Sequence, residues 1–152
     1  MPSTSTRLSQ DAAIVLGLAH TAVPFAASRE DEAERWVRVM RLHGQVGRAM
    51  QALGLGETPL ESPATPRAVR LLRARDLSGA IVEQVEQRSL ELAAERRAQL
   101  VSTVDIFFAV LDIYSSTFER ALYARGTTRV ELIAELCRDG FPVPAPFGGV
   151  PA

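Results

Sequence analysis

The strongest constraint on this chain is a segment that occurs twice. Residues 46–54, Val-Gly-Arg-Ala-Met-Gln-Ala-Leu-Gly, align without a gap to residues 118–126, Phe-Glu-Arg-Ala-Leu-Tyr-Ala-Arg-Gly. Arg48 falls on Arg120, Ala49 on Ala121, Ala52 on Ala124 and Gly54 on Gly126, and Met50 meets Leu122. Each copy reads as a short helix that stops at a glycine, where a left-handed backbone costs little. With one residue gapped, the preceding apolar stretches also correspond: Trp36, Val37, Val39 and Met40 meet Phe107, Phe108, Val110 and Leu111. A spacing of about 72 residues is too long for a common solenoid and points to a duplicated helical bundle. Chance matching of two generic short helices is the competing explanation. The small residues Ala49, Ala52, Ala121 and Ala124 would let helices approach closely.

Helix punctuation continues along the chain. Apolar residues Ile14, Val15 and Leu18 predict a first inward stripe, ended or kinked at Pro24. Ser28 is an N-cap signal, with Glu30, Asp31 and Glu32 in the following turn against the helix dipole. That helix carries Trp36, Val39, Met40 and His43 on one stripe and breaks at Gly44. The next points Val46, Met50 and Leu53 inward. Gly56, Pro59 and Pro63 mark a linker, and Thr65-Pro66 opens a helix with proline at its first position. A longer helix is predicted from Ala80 to Arg97, with Ile81, Val85 and Leu92 inward. Ser102 or Thr103 caps a helix bearing Ile106, Phe107, Val110 and Leu111. Ser116-Thr-Phe-Glu119 and Thr128-Arg-Val-Glu131 both have capping-box spacing. They open helices with Phe118, Ala121 and Leu122, and with Val130, Ile133, Ala134 and Cys137 as a buried thiol. No stretch shows β alternation, so the chain reads as all-α. The expected organisation is a flexible N-terminus (1–9), one helical domain (10–140, its halves 10–64 and 65–140), and a Pro-rich, polyproline-like tail (141–152).

Composition narrows the function. A net charge of −1 over 152 residues gives no electrostatic reason for nucleic acid or membrane binding. All 17 basic residues are arginine, and both lysine and asparagine are missing. Coding bias of a GC-rich genome explains this; avoidance of modification at lysine, beside a degradation machine, is the alternative. The one cysteine forms no internal disulfide and fits a reducing compartment. The N-terminal residues lack the apolar run of a signal peptide and no apolar stretch is long enough to span a bilayer, so a cytoplasmic protein is expected. His20 and His43 with one cysteine make no zinc set. Neither a Gly-x-Ser-x-Gly elbow nor, without lysine, a phosphate-binding P-loop exists. No enzyme activity, cofactor or metal is expected.

The repeated unit resembles the Clp repeat, which stands in tandem at the N-terminus of Clp-family AAA+ unfoldases. In that family a Gly-Thr-Glu-His-like turn opens an apolar helix, a short helix ends in a Leu-Gly-like step, and a further helix closes the unit. Ser102-Thr103-Val104-Asp105 stands at the turn, followed by Ile-Phe-Phe-Ala-Val-Leu at 106–111. Phe118 to Gly126 stands at the short helix and Thr128 to Leu136 at the closing one. In the first half, Asp31 to Glu34 stands near the turn, Trp36 to Met40 at the apolar helix and Val46 to Gly54 at the short one. Thr65-Pro66-Arg67-Ala68 looks like the step into the second repeat. The resemblance covers roughly residues 10–138 and implies two tandem pseudo-repeated four-helix units in one Clp N-terminal-like bundle. It implies a bacterial adaptor or docking module for proteins or peptides, with a Clp-type AAA+ unfoldase or its clients as partner. Glu34, Thr103 and Asp105 fall at the two turns and are candidate contact residues. Some members recognise phosphorylated arginine, but at the place of the turn glutamate stands Val104 in the second half, and Ala33 or a neighbouring glutamate in the first.

Two further surfaces are candidates. Arg67, Arg70 and Arg73 line one helix face that could grip acidic groups bidentately, or form a solvated face. Phe141 and Phe147, framed by prolines, could dock in a groove of a partner or of another copy, or belong to a linker. A structural assembly subunit, and third a regulator contacting acidic ligands through the Arg67–Arg75 face, are the alternatives to a docking module.

Overall fold

A computed structural model describes residues 7–55, 80–138 and 140. Seven α-helices and one two-stranded ribbon make up the described residues. In chain order they are β1 (Arg7–Leu8), α1 (Gln10–Ala22), a 3-10 turn (Val23–Phe25), α2 (Arg29–Arg41) and α3 (Gly44–Ala52). Then follow α4 (Ala80–Glu95), β2 (Leu100–Val101), α5 (Thr103–Tyr114), α6 (Ser116–Ala124) and α7 (Arg129–Arg138). The linker glycine and prolines, the Thr65-Pro66 helix start, the arginine face and the Pro-rich tail lie outside the described residues.

Side-chain caps set several helix starts. Ser9 Oγ accepts from the Ala12 N–H at 3.1 Å, and Ser28 Oγ from the Asp31 N–H at 3.1 Å. Ser102 and Asp105 form a full capping box on α5, and Thr128 Oγ1 accepts from the Glu131 N–H at 3.1 Å. Each bond satisfies a donor that the helix leaves open. The other capping-box spacing fails: α6 starts from Ser115, whose side chain makes no cap bond and whose φ is +51°. Ser116 and Glu119 are therefore ordinary members of its first turns. Helix α3 also lacks a cap of its own, and a distant residue stands in. The Thr103 hydroxyl accepts from the Val46 N–H at 3.4 Å, and a Cβ on Gly44 would come within 2.6 Å of the Thr103 side chain. Glycine is what lets the starts of α3 and α5 meet.

Helix α5 is the axis of the molecule. Every residue from Thr103 to Leu111 is buried, as suits a helix surrounded on all sides. It packs against α1, α2, α3, α4 and α6. Phe107 sits edge-on to Phe118 at 5.9 Å between ring centroids, a favoured aromatic geometry. Trp36 and Met40 from α2 and Met50 from α3 complete the same core.

The inward stripes of α1 and α7 differ from the periodicity. On α1 the buried residues are Ala12, Val15, Leu16 and Ala19, while Ile14 and Leu18 are exposed. Alanine faces inward because α1 lies against α2, α4 and α5. On α7 the buried set is Leu132, Ile133 and Leu136; Val130 and Cys137 are exposed, so the thiol is not a core residue. Ala49 and Ala121 are buried, whereas Ala52 and Ala124 are exposed. His43 is half-buried as the residue before α3. The N-terminal segment also differs: the Arg7 N–H donates to Gln99 O at 3.0 Å and the Ser9 N–H to Val101 O at 2.9 Å. These bonds build a short parallel ribbon, too short to leave any alternation in the sequence.

Candidate docking surface

The residues singled out at the two turns are each bonded to other residues of the chain. Thr103 is 2% exposed and serves α3, as described above. Asp105 is 1% exposed; it accepts from the Ser102 N–H at 2.9 Å and pairs with Arg96 at 2.6 Å. Glu34 on α2 pairs with Arg125 at the end of α6, at 2.7 and 3.1 Å to one carboxylate oxygen. No hydrogen bond or ion pair joins these three to one another among the described residues. Arg67, Arg70, Arg73, Phe141 and Phe147 lie outside the described residues.

A second link between the halves runs through the core. The Trp36 indole N–H donates to the Tyr114 hydroxyl at 3.1 Å, and that hydroxyl donates to Glu32 Oε1 at 2.8 Å. Burial, reinforced by the Glu32 charge and its hydrogen bond, pushes the Tyr114 phenol well above its ordinary pKa. Arg29 lies over the Tyr114 ring, 4.7 Å from its centroid, and donates to Ile113 O at 2.7 Å. Such a buried, mutually satisfied set fixes geometry.

The surface offers a different kind of site. An open groove of about 510 Å³ runs along α6 to the start of α7. Ser116, Glu119, Arg120, Tyr123 and Ala124 from α6 line it together with Thr128 and Arg129. Tyr123 is 76% exposed and the neighbouring Val130 on α7 is 66% exposed. A large amphipathic ring left this open is the residue type that anchors protein interfaces. Arg120 reaches Glu30 only at 3.7 Å, and Arg129 reaches Glu119 only at 3.9 Å. Neither guanidinium makes a hydrogen bond among the described residues, so their donors are available. The groove can therefore supply an aromatic face with charged groups of both signs around it.

Sequence reasoning passed over Tyr123, Tyr114 and Arg125, and read Glu32 only as a carboxylate facing the helix dipole, whereas it is buried. Tyr123 did leave a signal: it aligns with Gln51 in the other copy, so an aromatic stands where its mate is polar and exposed. Glu32, Tyr114 and Arg125 left none, because their partners lie 82 to 91 residues away. The described residues hold no group of three metal-ligating side chains, and no helix among them is long and apolar enough to cross a membrane. Comparison with protein families, with curated proteins and with solved structures yields no match.

Proposed function

We propose that this chain is a non-enzymatic protein- or peptide-docking module built from two tandem units of the Clp-repeat kind. The observation that carries the docking reading is the α6–α7 groove with its exposed Tyr123. The tandem reading is supported by backbone bonds that recur at the same 72-residue shift. The Leu55 N–H donates to Met50 O at 3.0 Å, and the Thr127 N–H to Leu122 O at 3.2 Å. Gly54 and Gly126, at φ of +80° and +92°, occupy the same place in each closing turn. Packing is exchanged in the same sense: α2 lies on α6, and α5 lies on α3. The partner class that the resemblance implies is a Clp-type AAA+ unfoldase or its clients.

The test is affinity capture from lysate of the source organism with the full chain, with Tyr123→Ser and with a chain ending at Arg138. Capture of such an ATPase or its clients by the full and shortened chains, lost with Tyr123→Ser, is the expected result. Retention of the partner by Tyr123→Ser removes the groove from the interface. Capture of an unrelated partner by the full chain alone favours an assembly subunit that docks through its tail.

A further inference from the structure

We propose that the occupant of the α6–α7 groove is a second copy of this chain, docked about a two-fold axis; this rests on the reading of that groove as a docking surface. A partner of one sign would be attracted by half of this surface and repelled by the other half, because Arg120 and Arg129 stand beside Glu119 and Glu30. A two-fold contact sets a patch against its own reversed image, so a patch holding both signs can be complementary to itself.

The register on α6 fits that arrangement. Glu119 and Arg120 are adjacent, and their side chains are 44% and 65% exposed. An antiparallel crossing of α6 with its copy, centred between these two positions, sets Glu119 of each copy against Arg120 of the other. The same register places Tyr123 of each copy over Ser116 of the other. Serine is small enough to leave room for a ring, and both residues line the groove. The existing pairs of Arg120 and Arg129 are long and exposed, so exchanging them for contacts across the axis costs little. The patch is much smaller than the 20–30 residues a side of a standard interface, so the dimer is weak and concentration-dependent.

Sedimentation equilibrium of the purified full chain tests this. The weight-average mass is expected to rise from the 16.5 kDa of one chain at micromolar concentration toward twice that value near 1 mM, about where a weak complex half forms. Arg120→Glu alone and Glu119→Arg alone place like charges across the axis, and each is expected to remain monomeric. Mixed in equal amounts, the two variants are expected to associate more tightly than the parent chain. Both side chains are exposed, and unchanged Trp36 fluorescence verifies the fold. A parent chain that stays monomeric near 1 mM overturns the proposal, as do two charge variants that each dimerise like the parent. A monomeric parent whose captured partner is still lost on Tyr123→Ser overturns only the second copy as occupant and leaves the docking surface standing.

Discussion

Replacing Tyr114 by Phe removes one oxygen from the centre of the molecule and leaves the ring in place. That oxygen donates to the Glu32 carboxylate at 2.8 Å and accepts from the Trp36 indole at 3.1 Å. The bond to a carboxylate contributes about 1.5–3 kcal/mol. The lost acceptor for the buried indole N–H costs a further ~1 kcal/mol or more. Because both bonds share one oxygen they are not fully additive, and a total of about 3 kcal/mol is expected. Against the roughly 5–15 kcal/mol of stability usual for a native protein, that is a large fraction. The chain has one tryptophan, and it is the very residue bonded to Tyr114, so urea unfolding followed by fluorescence reads the site directly. A lower midpoint with an unchanged slope is the predicted outcome. A Tyr114→Phe variant within about 0.5 kcal/mol of the parent, the range of inconsequential substitutions, would refute the claim that this bridge holds the halves together.

Three further outcomes are expected. Thr127 is buried and its hydroxyl has no hydrogen-bond partner among the described residues, so Thr127→Val should raise stability by about 1 kcal/mol, measured by urea unfolding; a loss of stability would show that the hydroxyl is satisfied. Gly44→Ala should destabilise by about 2–4 kcal/mol, through strain at φ +71° and collision with Thr103; adding Thr103→Ala should recover the collision but not the strain. The raised Tyr114 pKa has a pH consequence. The folded state keeps its phenol proton above the ordinary value of 10.0 while the unfolded chain loses its own. The contribution of this group is therefore intact below pH 10 and falls above it by about 1.4 kcal/mol per pH unit. With no lysine titrating in that window, Tyr114→Phe should flatten the slope.

Helix existence was legible because it is written locally. Ser28, Ser102 and Thr128 carry their caps within three residues, and Gly54 and Gly126 announce their turns. Which face a helix buries was less legible. On α7 two apolar stripes compete about one residue apart, and the fold chose Leu132 and Leu136 over Val130 and Cys137 because α7 leans on α3. On α1, side-chain size misled: Ala12 and Ala19 are inside because neighbouring helices come close, which no residue near them in sequence records. The candidate surface was legible only as an anomaly, Tyr123 opposite Gln51. The ties Glu34–Arg125, Glu32–Tyr114 and Val46–Thr103 could not be read at all, since each joins residues far apart in the chain.

Those ties also fix when the molecule becomes a molecule. The helix α5 belongs to the second half, yet α1, α2 and α3 of the first half form much of its jacket. During synthesis the first half must wait, its Trp36 and Met40 uncovered, until more than fifty later residues have emerged. Such long-range closure slows folding relative to a bundle of sequential hairpins. It also means that peptides 7–55 and 80–138 each contribute to a single core. Supplied separately, they have reason to find each other and to rebuild by association what the intact chain builds by folding.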